Sequence, residues 1–197
     1  MFMFYLPALA IILYFCFQDT PDLCLKQSPY INKYTKTFVS RLKFIFFVLS
    51  GTAALLMIGS AVVFIGSLLT NAEQSPVAEA PYGLSSVLVM IVYCVCAAYL
   101  EESFFRVLLC YRLFSSGIKK HSAVIVSGIL FAICHAWEGF GGMANAFLSA
   151  LFLSFLFERK KSLNCIALSH ALYNIAVYIF LLPETVPELM FWSGFYP

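Results

Sequence analysis

The sequence predicts an all-α fold, a polytopic integral membrane bundle of about six transmembrane helices. Three observations predict it. Of the 197 residues, 62% are hydrophobic and only 11% are charged, against about 25% charged in a soluble domain. Apolar runs recur near residues 1–17, 44–70, 84–114, 122–137, 140–157 and 163–182. The basic residues gather in alternate connections between these runs. A net charge of +2, with no basic run interleaved with aromatics, argues against nucleic acid as a partner and leaves the lipid bilayer.

Residues 1–17 read as a first span. The first 25 residues hold no Lys or Arg, so the basic segment of a cleavable signal peptide is missing. Residues 18–43 are the only sizeable polar connection. The second and third runs exceed the roughly 20 residues a crossing needs, so both must tilt or protrude. The fourth run is short and meets the fifth through Glu138 and Gly139, a tight helical hairpin. Gly139, Gly141 and Gly142 suit that turn better than a phosphate site, because no strand–loop–helix context surrounds them. The chain therefore divides into residues 1–82, two spans joined by a basic loop; residues 83–182, a four-helix core; and residues 183–197, a short acidic and aromatic tail.

Charge sets an expected orientation. Lys26, Lys33, Lys36, Arg41 and Lys43 precede span two, Arg112, Lys119 and Lys120 follow span three, and Arg159, Lys160 and Lys161 follow span five. The opposite connections and the tail carry only the acids Glu73, Glu79, Glu138, Glu184 and Glu188. The positive-inside rule then places both termini away from the cytoplasm. The short chain and lean loops point to a bacterial plasma membrane. Of the 7 cysteines only Cys24 sits in a polar loop, so the others read as small hydrophobes rather than a disulfide framework. Trp137, Trp192 and Tyr196 read as interfacial aromatics.

The residues that carry chemistry are the polar ones at membrane depth. An ionisable group there costs on the order of 3 kcal/mol by insertion scales, so Glu101, Glu102 and Arg106 mark a functional centre. Glu102 and Arg106 stand four apart, the helical distance at which a carboxylate meets a guanidinium. Glu101 points about 100° away on the same helix, without an obvious cationic partner there. A carboxylate so placed is suited to take a proton from water, and His135 can hold that water against it. His170 and Asn174, also four apart, share a helix face and offer two donors to a developing oxyanion. Counting at 1.5 Å per residue from the basic ends of the spans puts Glu101 and His135 at about 20 Å, Asn174 at about 17 Å and His170 at about 11 Å. These groups are expected to converge on one pocket.

The segments E-E-S-F-F-R (Glu101 to Arg106), F-A-I-C-H (Phe131 to His135) and H-A-L-Y-N (His170 to Asn174) resemble the EExxxR, FxxxH and HxxxN motifs of the CAAX prenyl protease and bacteriocin-processing family, also called the Abi family. The resemblance covers residues 83–182, with the motifs in family order. It implies an intramembrane glutamic endopeptidase acting on a membrane-associated protein or peptide. Eukaryotic members remove the last three residues of prenylated CAAX proteins, and bacterial relatives are implicated in processing peptides, bacteriocins or C-terminal sorting signals. By the same resemblance Glu101 and His135 activate the water, His170 and Asn174 form the oxyanion site, and no metal or other cofactor is needed. Glu102 and Arg106 take a supporting position. Two features depart from the family pattern: members commonly have seven or eight spans, and a charged stretch, E-R-K-K-S (Glu158 to Ser162), replaces a Gly-containing turn before HxxxN. Two alternatives share these residues. One is a zinc-dependent version with Glu101, His135 and His170 as ligands. The other is a non-proteolytic membrane immunity or regulatory scaffold.

Overall fold

The computed structural model of the chain describes residues 38–69 and 83–181, all helices and short turns. Span one, most of the basic loop, the connection 70–82 and the tail lie outside the described residues, as do Trp192 and Tyr196. Helix α1 is Phe38–Leu69, six residues ahead of its predicted start. The segment F-V-S-R-L-K contains neither Gly nor Pro, so nothing stops the helix from taking in Arg41 and Lys43, whose side chains stay exposed. The predicted third span is one rod, Gly83–Ser115. It comprises α2 (Gly83–Glu102), a seven-residue π-helix (Ser103–Leu109) and α3 (Cys110–Ser115). Then follow α4 (Lys120–Cys134), a single 3₁₀ turn (Ala136–Glu138), α5 (Gly139–Lys160) and α6 (Leu163–Ala176), which runs on as a π turn (Val177–Leu181).

Three of these rods are long and apolar enough to cross a membrane: Arg41–Leu69, Gly83–Ser115 and Ala136–Lys160. Helices α4 and α6, at 15 and 14 residues, rise only about 22 Å, less than a hydrocarbon core of about 30 Å. The five predicted spans that fall on described residues are thus five helical segments, of which two are short.

The turns follow local chemistry. Gly139 opens α5 with φ 76° and ψ −175°, a conformation essentially restricted to glycine, and so permits the hairpin expected at Glu138 and Gly139. Lys161 closes α5 in the left-handed region, its N–H on the Phe157 carbonyl at 2.6 Å. Ser162 then caps α6 by accepting from the Cys165 N–H at 3.3 Å.

Two clusters hold the helices together. Val48 and Leu55 of α1 pack with Leu153 and Leu156 of α5 and with Cys165 and Ile166 of α6. Phe105 packs with Phe131 and Ala132 of α4 and with Ala146 and Ala150 of α5. The α1–α6 seam is close because Gly51 has no side chain: a Cβ there would lie 2.5 Å from the Ser169 hydroxyl. That approach lets Ser169 donate to the Val48 carbonyl at 3.1 Å and Thr52 donate to the Ser169 carbonyl at 3.2 Å. Outward faces are apolar: Phe46, Met57, Phe64 and Leu68 of α1, with Leu84 and Leu88 of α2, are all exposed. A helix apolar on both its packed and its open face belongs in lipid.

Candidate active site

The site is built where α2 turns into its π-helix. The Cys110 N–H bonds back to the Phe105 carbonyl, five residues earlier, and buried Ser127 of α4 donates to the same oxygen at 2.9 Å. The widened turn therefore has its partners, and single π turns of this kind favour functional sites. At its start stand Glu101 and Glu102, and within it Arg106.

Arg106 Nε lies 3.1 Å from Glu102 Oε2, in an ion pair whose side chains are 1% and 0% exposed. The N–H is not aligned as a hydrogen bond, and the contact is held by charge and burial. The other Glu102 oxygen, Oε1, accepts from His170 Nδ1 at 2.9 Å. With Nδ1–H spent there, His170 presents Nε2 towards Glu101, 3.8 Å from Oε2. The result is a chain, Arg106–Glu102–His170–Glu101. Glu102 is sealed inside it, whereas the Glu101 side chain at its end keeps 20% exposure. Glu101 thus faces an imidazole from another helix, a neighbour that spacing along its own helix could not reveal.

His135 ends α4, and its Nδ1–H donates to the Phe131 carbonyl at 2.9 Å. In the neutral ring this fixes the tautomer and leaves Nε2 as an acceptor. Glu101 is within electrostatic reach of His135 as well as of His170, Glu102 and Arg106. The Phe131 ring joins the three motifs, lying against His135, His170 and Arg106. Asn174, one turn beyond His170, is half-buried; its carbonyl accepts from the Val177 N–H, and its side chain makes no hydrogen bond among the described residues. Neither do Glu101, His135 and His170 form a three-ligand metal cluster among those residues.

The depths counted from sequence put His170 about 9 Å nearer the basic ends than Glu101, whereas their side chains come within 3.8 Å. The tie is Tyr99, two residues before Glu101, whose hydroxyl donates to Asn164 Oδ1 at 3.0 Å. Counting from the start of α6 thus underestimates the depth of His170. Sequence reasoning also missed Phe131 as more than packing. Its ring touches His135 (centroids 4.5 Å) and Arg106 (4.6 Å). The signal was present in the sequence, since Phe131 and His135 are spaced to share one helix face.

Residues 83–176, just under half of the chain, match the family model described as type II CAAX prenyl endopeptidase Rce1-like. This segment is an Rce1-like domain. The likeness supports a CAAX-type intramembrane protease in general, and the long apolar helices an integral membrane protein. The match begins at the first residue of α2 and ends at the last of α6, so the Rce1-like domain contains every motif residue and excludes α1. No curated protein and no solved structure matches the chain significantly.

Proposed function

We propose that the protein is a glutamic-type endopeptidase that hydrolyses a peptide bond of a membrane-associated protein or peptide with a water held by Glu101 and His135. One observation carries this reading: the buried polar chain ends at Glu101, the carboxylate of the pair that retains access. Glu101 takes a proton from the water as its oxygen attacks the scissile carbonyl, whose π electrons move onto oxygen. His135, its Nδ1–H anchored on Phe131, orients the water through Nε2. Glu102 steadies His170 by accepting from its Nδ1–H, as a carboxylate orients a catalytic imidazole. His170 Nε2–H and the Asn174 amide then stabilise the oxyanion. The intermediate collapses as the C–N bond breaks, and the proton on Glu101 passes to the leaving amine.

The basic residues support the expected orientation. Lys120, at the start of α4, pairs with Glu158 near the end of α5 at 3.2 Å, and Lys160 lies over the ring of Phe47 in α1. One end of the bundle therefore carries the positive charge and is assigned to the cytoplasm. On this reading the termini lie outside and the host membrane is a bacterial plasma membrane.

The test uses the full chain in liposomes with a quenched-fluorescent farnesylated CAAX peptide, and a peptide without the lipid beside it. Wild type cleaves, and Glu101→Gln and His135→Ala lose at least about 100-fold while keeping wild-type melting behaviour. A Glu101→Gln variant that cleaves at the wild-type rate sinks the reading.

A further inference from the structure

Phe131 is 2% exposed and stands at the centre of the site without carrying a polar side chain. Its ring meets the His135 ring at 4.5 Å, the His170 ring at 6.3 Å with an interplanar angle of 73°, and the Phe105 ring edge-on at 5.0 Å. Its carbonyl holds His135 Nδ1. The Arg106 guanidinium carbon lies 4.6 Å from its centroid. Arg106 reaches Glu102 through Nε, while Nη1 and Nη2 are buried without a hydrogen-bond partner. A buried donor left unmade is costly, and the surface set against this cation is the electron-rich face of an aromatic ring.

We infer that Phe131 is a positioning residue: its ring face fixes the Arg106 guanidinium so that Nε alone engages Glu102, which leaves Glu102 Oε1 for His170. The inference rests on the proposed roles of Glu101 and His170. Its logic is competition. A guanidinium is a fork of five donors and prefers to grip a carboxylate with two of them. Free to swing, Arg106 turns its unsatisfied Nη groups onto Glu102 and takes it from His170, whose Nε2 then loses its place beside Glu101. The ring holds the cation by its face, which offers no competing acceptor. Through its carbonyl and its ring the same residue sets the tautomer and tilt of His135, so one side chain registers both histidines.

A series of phenylalanines carrying one, two and three ring fluorines at position 131 tests this, because fluorine drains the ring face with little change of size. In the full chain in detergent, the melting temperature falls stepwise with fluorine number, and stays level across the series in an Arg106→Met background. With the farnesylated peptide, kcat falls about fivefold or more across the series while KM stays within about twofold, the scale of a desolvated cation–π contact. The same series at Phe147, in the same cluster against Gly128, leaves kcat unchanged. Should Arg106→Met not fold, the Phe147 series is the reference. Level melting and level kcat at position 131, or equal slopes in the two backgrounds, overturn the inference. Wild-type cleavage by Glu101→Gln instead overturns the proposed function, and the melting series still decides the role of the ring.

Discussion

Arg106→Ala tests the buried ion pair. In the wild type, Glu102 has no exposure and Arg106 has 1%, so the substitution leaves a carboxylate with no water to turn to. Removing one partner of a buried pair costs about 3–5 kcal/mol. His170 still donates to Glu102 at 2.9 Å, and a charge-assisted bond of that kind takes up part of the stranded charge. The loss therefore sits at the low end, about 3 kcal/mol, or roughly a hundredfold in the folded-to-unfolded ratio. Losses of that size lower abundance several-fold, because the unfolded fraction is degraded. The assay is membrane abundance at matched transcription, with thermal unfolding in detergent. The double variant Arg106→Ala with Glu102→Ala is expected to be more stable than Arg106→Ala alone, since no charge is then stranded. Wild-type abundance and melting for Arg106→Ala would refute the reasoning.

Gly51→Leu drives side-chain atoms into Ser169 and parts α1 from α6; it is expected to cost about 1–3 kcal/mol in unfolding and to lower cleavage together with folded protein. Unchanged melting there removes the close-seam account. Gly139→Ala places a Cβ where φ is 76° and ψ −175°, and should cost about 1–3 kcal/mol, read by the same unfolding assay. Treatment with a zinc chelator is expected to leave peptide cleavage unchanged; loss of cleavage restored by added zinc would favour the zinc-dependent alternative.

The legible parts of this protein were those decided within one segment. Hydropathy marked every described helix, and the four-residue spacing of Glu102 and Arg106 gave their pairing. The glycine after Glu138 gave the hairpin. What hydropathy could not give was length in space: α4 and α6 read as spans, yet each is too short to cross a core of about 30 Å unaided. The partner of His170 was also hidden. Spacing along α6 put His170 and Asn174 on one face as two donors, whereas the His170 imidazole spends Nδ1–H on Glu102 of another helix, a contact that no spacing within α6 encodes. The π-helix left no local mark either, since its register depends on a Phe105 carbonyl shared by Cys110 and Ser127, 22 residues away in sequence.

The most direct test of the central claim compares the protein termini of host membranes expressing wild type or Glu101→Gln at matched levels. The account predicts new termini with wild type alone, at one or a few membrane-associated clients. Identical sets of termini, under conditions where the wild-type protein has a measurable cellular effect, would contradict it and leave the scaffold alternative.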